Sequence, residues 1–215
     1  MKVCEIFESI QGEGRYMGLP CLFIRVYGCN WKCETCDTKY SWRGEYRKFS
    51  VKELVEIIEN SSKRGVVFTG GEPLLYTSEI IRVVEGLEDY TKIFLLETNG
   101  IILNEVIPAY FDCVTLSPKK NYPKVSEAIE WWSVYNNVDY KFVIGSQSWC
   151  WSLSDVKKVV REIGLDEDRV WLMPHGSTQQ ELDKISKKVW EFCVRNNFNY
   201  SDRLHIRVWN GTKGR

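Results

Sequence analysis

Leu22-Phe23-Ile24-Arg25-Val26-Tyr27-Gly28-Cys29-Asn30-Trp31-Lys32-Cys33-Glu34-Thr35-Cys36-Asp37 is the stretch that decides the reading of this chain. Its first six residues are apolar or β-branched apart from Arg25, the pattern of a buried strand, and the loop after them spaces Cys29, Cys33 and Cys36 as C-x3-C-x2-C. A loop delivered by a strand brings three thiolates to one point, and soft sulfur selects zinc, Cu(I) or iron–sulfur clusters. Structural zinc takes four closed ligands, and ferredoxin-type clusters take four cysteines. Three ligands with no fourth Cys or His nearby point to a cubic 4Fe-4S cluster that keeps one iron open to a substrate or cofactor. The alternative is a zinc site completed by a distant Cys4, Cys21, Cys113, Cys150 or Cys193. All but Cys150 sit in or beside apolar stretches, where a free cysteine behaves as a small buried hydrophobe.

The strand itself alternates. Phe23, Arg25 and Tyr27 share one face, and Leu22, Ile24 and Val26 the other. The aliphatic face suits packing against helices, so Arg25 is expected to point inward, where a guanidinium must be paired. Its partner is either an internal carboxylate, with Glu13 and Glu97 the candidates, or the carboxylate of a substrate held in a bidentate fork.

Further apolar runs recur at Val66–Thr69, Ile93–Glu97, Cys113–Leu116, Tyr140–Ile144 and Val170–Met173, with helix-periodic segments between several of them. Ser50 and Glu53 form a capping-box pattern before the stripe Val51, Leu54, Val55 and Ile58. Ser154 is expected to open a second helix stopped at Gly164, and Thr178 with Glu181 a third that ends near Asn197. Leu204–Val208 reads as a last strand. Strand–helix alternation implies parallel strands with right-handed crossovers. Six such strands fall short of a closed eight-stranded barrel, which leaves an open partial (β/α)6 barrel or a doubly wound sheet; in either, ligands bind at the carboxyl ends of the strands. The cysteine loop, Gly70-Gly71-Glu72-Pro73 and Asn99-Gly100 all lie at such ends.

Composition narrows the class. The 215 residues suit a single domain, and 44% hydrophobic with 13% aromatic content excludes a disordered chain. Basic and acidic residues balance at 29 each, so no global field would gather nucleic acid or an anionic membrane. No apolar run approaches the roughly 18 residues of a membrane span. The start, Met1-Lys2-Val3-Cys4-Glu5, has no signal-peptide apolar region, and a chain of this length needs no disulfide framework, so a reducing, cytoplasmic compartment is expected. The expected partner is a small molecule.

With these residues assembled, the chain resembles the radical S-adenosylmethionine (radical SAM) enzymes, whose best-known markers are the C-x3-C-x2-C loop and the Gly-Gly-Glu-Pro after the next strand. More narrowly it is similar to the 7-carboxy-7-deazaguanine synthase family, through Ser9-Ile10-Gln11-Gly12-Glu13-Gly14, Arg25, Cys36-Asp37-Thr38, Thr69-Gly70-Gly71-Glu72-Pro73, Glu97-Thr98-Asn99-Gly100 and Ser117-Pro118-Lys119. The resemblance implies an open partial (β/α)6 barrel of the radical SAM type, one domain over 1–215, with a short N-terminal substrate loop and a C-terminal tail over the site. It implies a carbon–nitrogen lyase of queuosine and 7-deazapurine biosynthesis, a pathway that serves tRNA modification. In that reaction a 5′-deoxyadenosyl radical from S-adenosyl-L-methionine takes hydrogen from C6 of 6-carboxy-5,6,7,8-tetrahydropterin. The ring contracts, ammonia leaves, and hydrogen return regenerates the cofactor.

The resemblance also assigns residues. Cys29, Cys33 and Cys36 would hold the cluster. Asp37, Thr38, Gly71, Glu72, Asn99, Ser117, Pro118, Lys119, Met173, Pro174, His175 and Gly176 would meet the cofactor, although the family pattern expects a Gln-Pro type where this chain has Met173-Pro174. Ile10, Gln11, Gly12, Glu13, Arg25 and Thr69 would meet substrate, and Thr38 would take Mg2+. His175 could donate a proton, but with no partner visible in the sequence it reads as a surface-loop histidine. The tail Trp209–Arg215 resembles the segment that packs over substrate. A flavodoxin-like electron donor and a homodimer are the implied partners. The competing readings are a glycyl-radical-enzyme activase, which would need no pterin pocket, and an iron–sulfur electron carrier or zinc-binding module, which would need neither Gly70–Pro73 nor Asn99-Gly100 at the same rim.

Overall fold

All six apolar runs become parallel strands of one sheet. In the computed structural model, which describes residues 1–34, 36–88 and 91–212, the elements follow in the order β1 (Lys2–Ile10), β2 (Pro20–Val26), α1 (Tyr40–Arg43), β3 (Arg47–Lys48), α2 (Val51–Asn60), β4 (Gly65–Gly70), α3 (Thr77–Glu85) and β5 (Ile93–Thr98). They continue with β6 (Cys113–Leu116), α4 (Val125–Ser133), β7 (Val138–Ile144), α5 (Leu153–Ile163), β8 (Val170–Pro174), α6 (Gln179–Asn196), β9 (Asn199–Tyr200) and α7 (Leu204–Trp209). Among the described residues nine strands lie in the order β3-β1-β2-β4-β5-β6-β7-β8-β9. From β2 to β9 every neighbouring pair is parallel, whereas β1 runs antiparallel to both β2 and β3. The sheet is open, as expected of a partial barrel.

Strand alternation divides the molecule into two sides. Leu22, Ile24, Val66, Phe68, Phe94, Leu96, Val114, Leu116, Tyr140 and Phe142 face the helices, where they join Leu54 and Ile58 of α2, Ile80 and Val83 of α3, Trp132 of α4 and Val156 of α5 in one core. The opposite positions Phe23, Val67, Leu95 and Cys113 form a separate apolar layer with Leu19 and Cys21. Above that layer the inner face turns polar at Arg25, Thr69, Glu97 and Lys141. This change of chemistry along each strand creates the site.

The helix ends follow local chemistry. Ser50 Oγ accepts from the Glu53 amide and Glu53 accepts from the Ser50 amide, completing the capping box. The second helix is capped two residues earlier than Ser154 suggested: Ser152 Oγ accepts from the Asp155 amide, and Gly164 ends α5 in the left-handed region. Asn197 ends α6 the same way.

Two features differ from expectation. An additional antiparallel strand, β1, precedes the parallel series, and Leu204–Val208 is helical rather than extended. Its alternation would bury Leu204, Ile206 and Val208 together, yet only Ile206 is buried and Val208 is exposed. The helix is held instead by Arg207, which bonds Asp202, Asp183 and Ser186. It also meets the N-terminal side of the sheet: the Leu204 amide donates to Gly12 O at 3.1 Å and the Gly14 amide to Ser201 Oγ at 2.9 Å. Among the described residues no helix is long and apolar enough to cross a membrane.

Ile24, fully buried on the helix-facing side, tests this division. Ile24→Ala should lower unfolding free energy by about 2–5 kcal/mol, read as a shift in the urea midpoint. Val134→Ser, at an exposed position, should change it by less than about 0.5 kcal/mol.

Candidate active site

A cavity of about 370 Å³ opens at the carboxyl ends of the strands, above the apolar layer. That volume lies in the range of small-molecule sites. Cys29, Cys33 and Cys36 line it together with Arg25, Gln11 and Glu13, so the thiols and the polar inner face share one space.

The cysteine loop is clamped at both ends. At its start the Glu72 amide donates to Gly28 O at 2.8 Å and the Gly71 amide to Val26 O at 3.1 Å. A Cβ at Gly71 would stand 1.9 Å from Gly28 O, so only glycine permits this backbone contact. Asn99 Nδ2 donates to Asn30 Oδ1 at 2.8 Å, tying the loop to the end of β5. At its far side the Tyr40 hydroxyl donates to Glu5 and Arg203 donates to Asp37. Cys33 packs against the apolar group Val143, Trp149, Cys150 and Met173. Burial pushes the Cys29 thiol up to about 11 and raises Cys33 as well, against the opposing charge of Lys119 at Cys33. Thiols must lose their protons to ligate iron, so loading a cluster here would release them. Three soft donors on one wall, one of them seated on apolar side chains, fit an iron–sulfur cluster. Among the described residues no three His, Cys, Asp or Glu side chains converge on a single-ion position.

The same cavity holds a cage of paired charges. Lys141, 4% exposed, donates to Glu13 Oε2 at 2.5 Å and stands 3.7 Å from Glu97. Arg203 Nε donates to Glu13 Oε1 at 3.0 Å. Burial alone would raise the Glu13 pKa, but Lys141, Arg203 and His205 hold its carboxyl well below the usual range. The same pairing holds Lys141 and Arg203 protonated despite burial. Gln11 Nε2 donates to Glu97 Oε1 and Thr69 Oγ1 to Glu97 Oε2, each at 3.1 Å. His175 and His205 are both shifted down, by burial first and then by the Arg203 charge.

Arg25 lies inward as its strand position required, but its carboxylate partner is neither Glu13 nor Glu97. Its Nε donates to Glu5 Oε2 at 3.0 Å, in a strand that sequence reading missed. The ring centroids of Phe7 and Tyr40 lie 5.7 and 5.9 Å from the guanidinium. Among the described residues neither Nη group has a hydrogen-bond partner, which leaves the fork free for a ligand carboxylate.

Of the cofactor candidates, Asp37, Thr38, Gly71, Asn99, Ser117, Lys119, Met173 and His175 line the cavity, and so do Ile10, Gln11, Gly12, Glu13 and Thr69 of the substrate candidates. Four candidates do not. Glu72 is fully buried, and its carboxylate accepts from Thr98 Oγ1 and from the Leu74 and Asn99 amides at 2.6 to 3.0 Å. It braces the rim instead of reaching into it, and burial raises its pKa against those bonds. Pro118 gives its carbonyl to Trp151 Nε1. Pro174 is the strand neighbour of the cavity-lining Met173 and so projects to the other face. Gly176 gives its carbonyl to Arg203. His175 is a half-buried cavity residue against Trp149, ring centroids 5.3 Å apart, rather than a surface one. Gly211 and Thr212 of the tail line the cavity too, whereas residues 213–215 lie outside the described residues. Sequence reading missed Lys141, Arg203, His205 and the wall aromatics Trp31, Trp42 and Trp149. For Lys141 a signal existed: a lysine inside the otherwise apolar run Tyr140–Ile144, between Tyr140 and Phe142.

Comparison with known proteins agrees with this geometry. The sequence pattern of the radical SAM superfamily matches residues 23–135. The 7-carboxy-7-deazaguanine synthase of Hyperthermus butylicus is 33% identical over 222 residues, covering 97% of this chain and 92% of the relative. That of Pyrobaculum aerophilum is 31% identical over 227 residues, covering 100% and 97%. The crystal structure of QueE from Escherichia coli superimposes with a TM-score of 0.71 at 25% identity, covering 94% of this chain and 92% of that one. The chain belongs to the radical SAM superfamily and, within it, to the 7-carboxy-7-deazaguanine synthase family.

Proposed function

We propose that this enzyme converts 6-carboxy-5,6,7,8-tetrahydropterin to 7-carboxy-7-deazaguanine with loss of ammonia, as a carbon–nitrogen lyase feeding queuosine or another 7-deazapurine. The observation that carries the reading is one cavity lined by three thiols, by a guanidinium whose Nη groups are free among the described residues, and by the ionised Glu13 carboxylate. An activase that docks a large protein has no use for such an enclosed charge cage.

Cys29, Cys33 and Cys36 would hold the 4Fe-4S cluster, with Asn99, Ser117, Lys119, Met173 and His175 beside the S-adenosylmethionine. Together these groups supply, when bound, a 5′-deoxyadenosyl radical able to take hydrogen from C6 of the pterin. The chain's own residues orient the ring for that event. Arg25 offers Nη1 and Nη2 to the substrate carboxylate in a planar fork. Each Glu13 oxygen accepts one hydrogen bond from a cation and keeps further acceptor capacity, so the ionised carboxylate can take N–H groups of the pterin edge. Gln11 is fixed between Glu97 and the Glu13 amide, and so presents its amide in one orientation. Val143, Trp149 and Met173 keep the thiol wall apolar.

Thr38 would contribute a hydroxyl to Mg2+, an ion that keeps most of its water and takes few protein ligands. Residues 1–215 would act as one domain, with loop 11–14 and the tail from residue 209 enclosing substrate. A flavodoxin-like donor would reduce the cluster, and the enzyme would work as a cytoplasmic homodimer.

Protein reconstituted anaerobically with iron and sulfide, reduced with dithionite and given S-adenosylmethionine, should release 5′-deoxyadenosine, and Cys33→Ala should release none. A fully clustered protein that releases none refutes the radical chemistry. Added 6-carboxytetrahydropterin should give 7-carboxy-7-deazaguanine by mass spectrometry, and failure to turn over any pterin refutes the substrate. Arg25→Lys replaces a two-pronged donor by a point charge and should raise the pterin KM by about tenfold or more. Its effect on cofactor cleavage should be smaller. The reverse order would place Arg25 at the cofactor.

A further inference from the structure

Arg203, just before α7, is 7% exposed and bonds three separate segments. Its Nε donates to Glu13 Oε1 at 3.0 Å, its Nη1 to Gly176 O at 2.6 Å, and its Nη2 to Asp37 Oδ2. Glu13 belongs to loop 11–14, and Asp37 directly follows the last cluster cysteine. The guanidinium is rigid and planar, so it fixes the separation of the two carboxylates it joins. The surrounding contact is close: a Cβ at Gly12 would stand 2.7 Å from His205 Nδ1. Arg203 Nη2 and Asp37 Oδ2 lie 2.5 Å apart, so the arm to the cluster loop is an ion pair.

We propose that Arg203 is a positioning residue that couples the substrate loop to the cluster loop. A pterin seated on Glu13 thereby fixes the segment carrying Cys36 and Thr38, so radical generation occurs against a correctly placed ring. The inference rests on the reading of Glu13 as a substrate contact.

The test uses cluster-free protein and the reconstituted enzyme. Trp31, Trp42 and Trp149 line the cavity, so binding of 6-carboxypterin to cluster-free protein is read by tryptophan quenching. Asp37→Asn, although on the cluster loop, should weaken that binding about threefold or more. In an Arg203→Lys background, where the two-pronged link is already lost, Asp37→Asn should have no further effect. In reconstituted enzyme Arg203→Lys should raise the ratio of 5′-deoxyadenosine released to 7-carboxy-7-deazaguanine formed by about fivefold or more. Additive losses of binding, or an unchanged ratio with proportionally lower activity, overturn the coupling and leave Arg203 a structural residue. If Arg203→Lys does not fold, Asp37→Asn alone decides, since that side chain is 44% exposed: unaltered pterin binding overturns the proposal. Wild-type protein that binds no 6-carboxypterin sinks the substrate reading and the coupling together, whereas normal wild-type binding with additive variants sinks the coupling alone.

Discussion

An ionised carboxylate buried among side chains has to be neutralised by cations close at hand, and Glu13 is where this molecule meets that requirement. Lys141 reaches it from the seventh strand and Arg203 from the residue that precedes α7, 128 and 190 residues away in sequence. Removing either cation would leave a charge without water, which is far more costly than a lost surface pair. The arrangement therefore constrains the whole inner face. The sheet must curl enough to bring β7 under the loop after β1, and α7 must pack down on Gly12.

That constraint explains why the polar layer sits where it does. The apolar residues Phe23, Val67, Leu95 and Cys113 fill the inner face below it. Phe7 stacks on Phe23 with ring centroids 5.0 Å apart. One strand position further along, Arg25, Thr69, Glu97 and Lys141 share charge and hydrogen bonds, and the thiols stand at the mouth. Strands β2, β4 and β5 thus change from packing to chemistry over two residues, while their other faces stay continuously apolar against the helices.

The parallel strands were legible because that aliphatic face makes each of them a short β-branched run. The first strand was hidden by its charges: Glu5 and Glu8 interrupt Lys2–Ile10, and only the fold shows that Glu5 is spoken for by Arg25 and Tyr40. The last helix was misread because five alternating residues fit a strand as well as a helix, and the deciding contacts of Arg207 are tertiary. The cysteines and Arg25 announced themselves through residue type and spacing, and the Gln11–Glu13 loop through its resemblance to a known family. Arg203 and His205 carry no such signature. Their importance lies in partners more than a hundred residues distant, which no local window contains. Glu72 illustrates the opposite error: a recognisable motif residue whose carboxylate is consumed by its own scaffold.

The clamps on the cysteine loop set the terms on which it can be re-engineered. Backbone contact at Gly28 and Gly71 fixes its entry, Asn30 is gripped by Asn99, and Asp37 and Tyr40 fix its exit. Between those anchors Lys32 and Glu34 face solvent. Cys33 sits between those two positions on Val143, Trp149, Cys150 and Met173, so extra backbone on either side of it would break the spacing that gathers the three thiols, and an electron-donor tether belongs on the Lys32 or Glu34 side chain rather than in the loop itself.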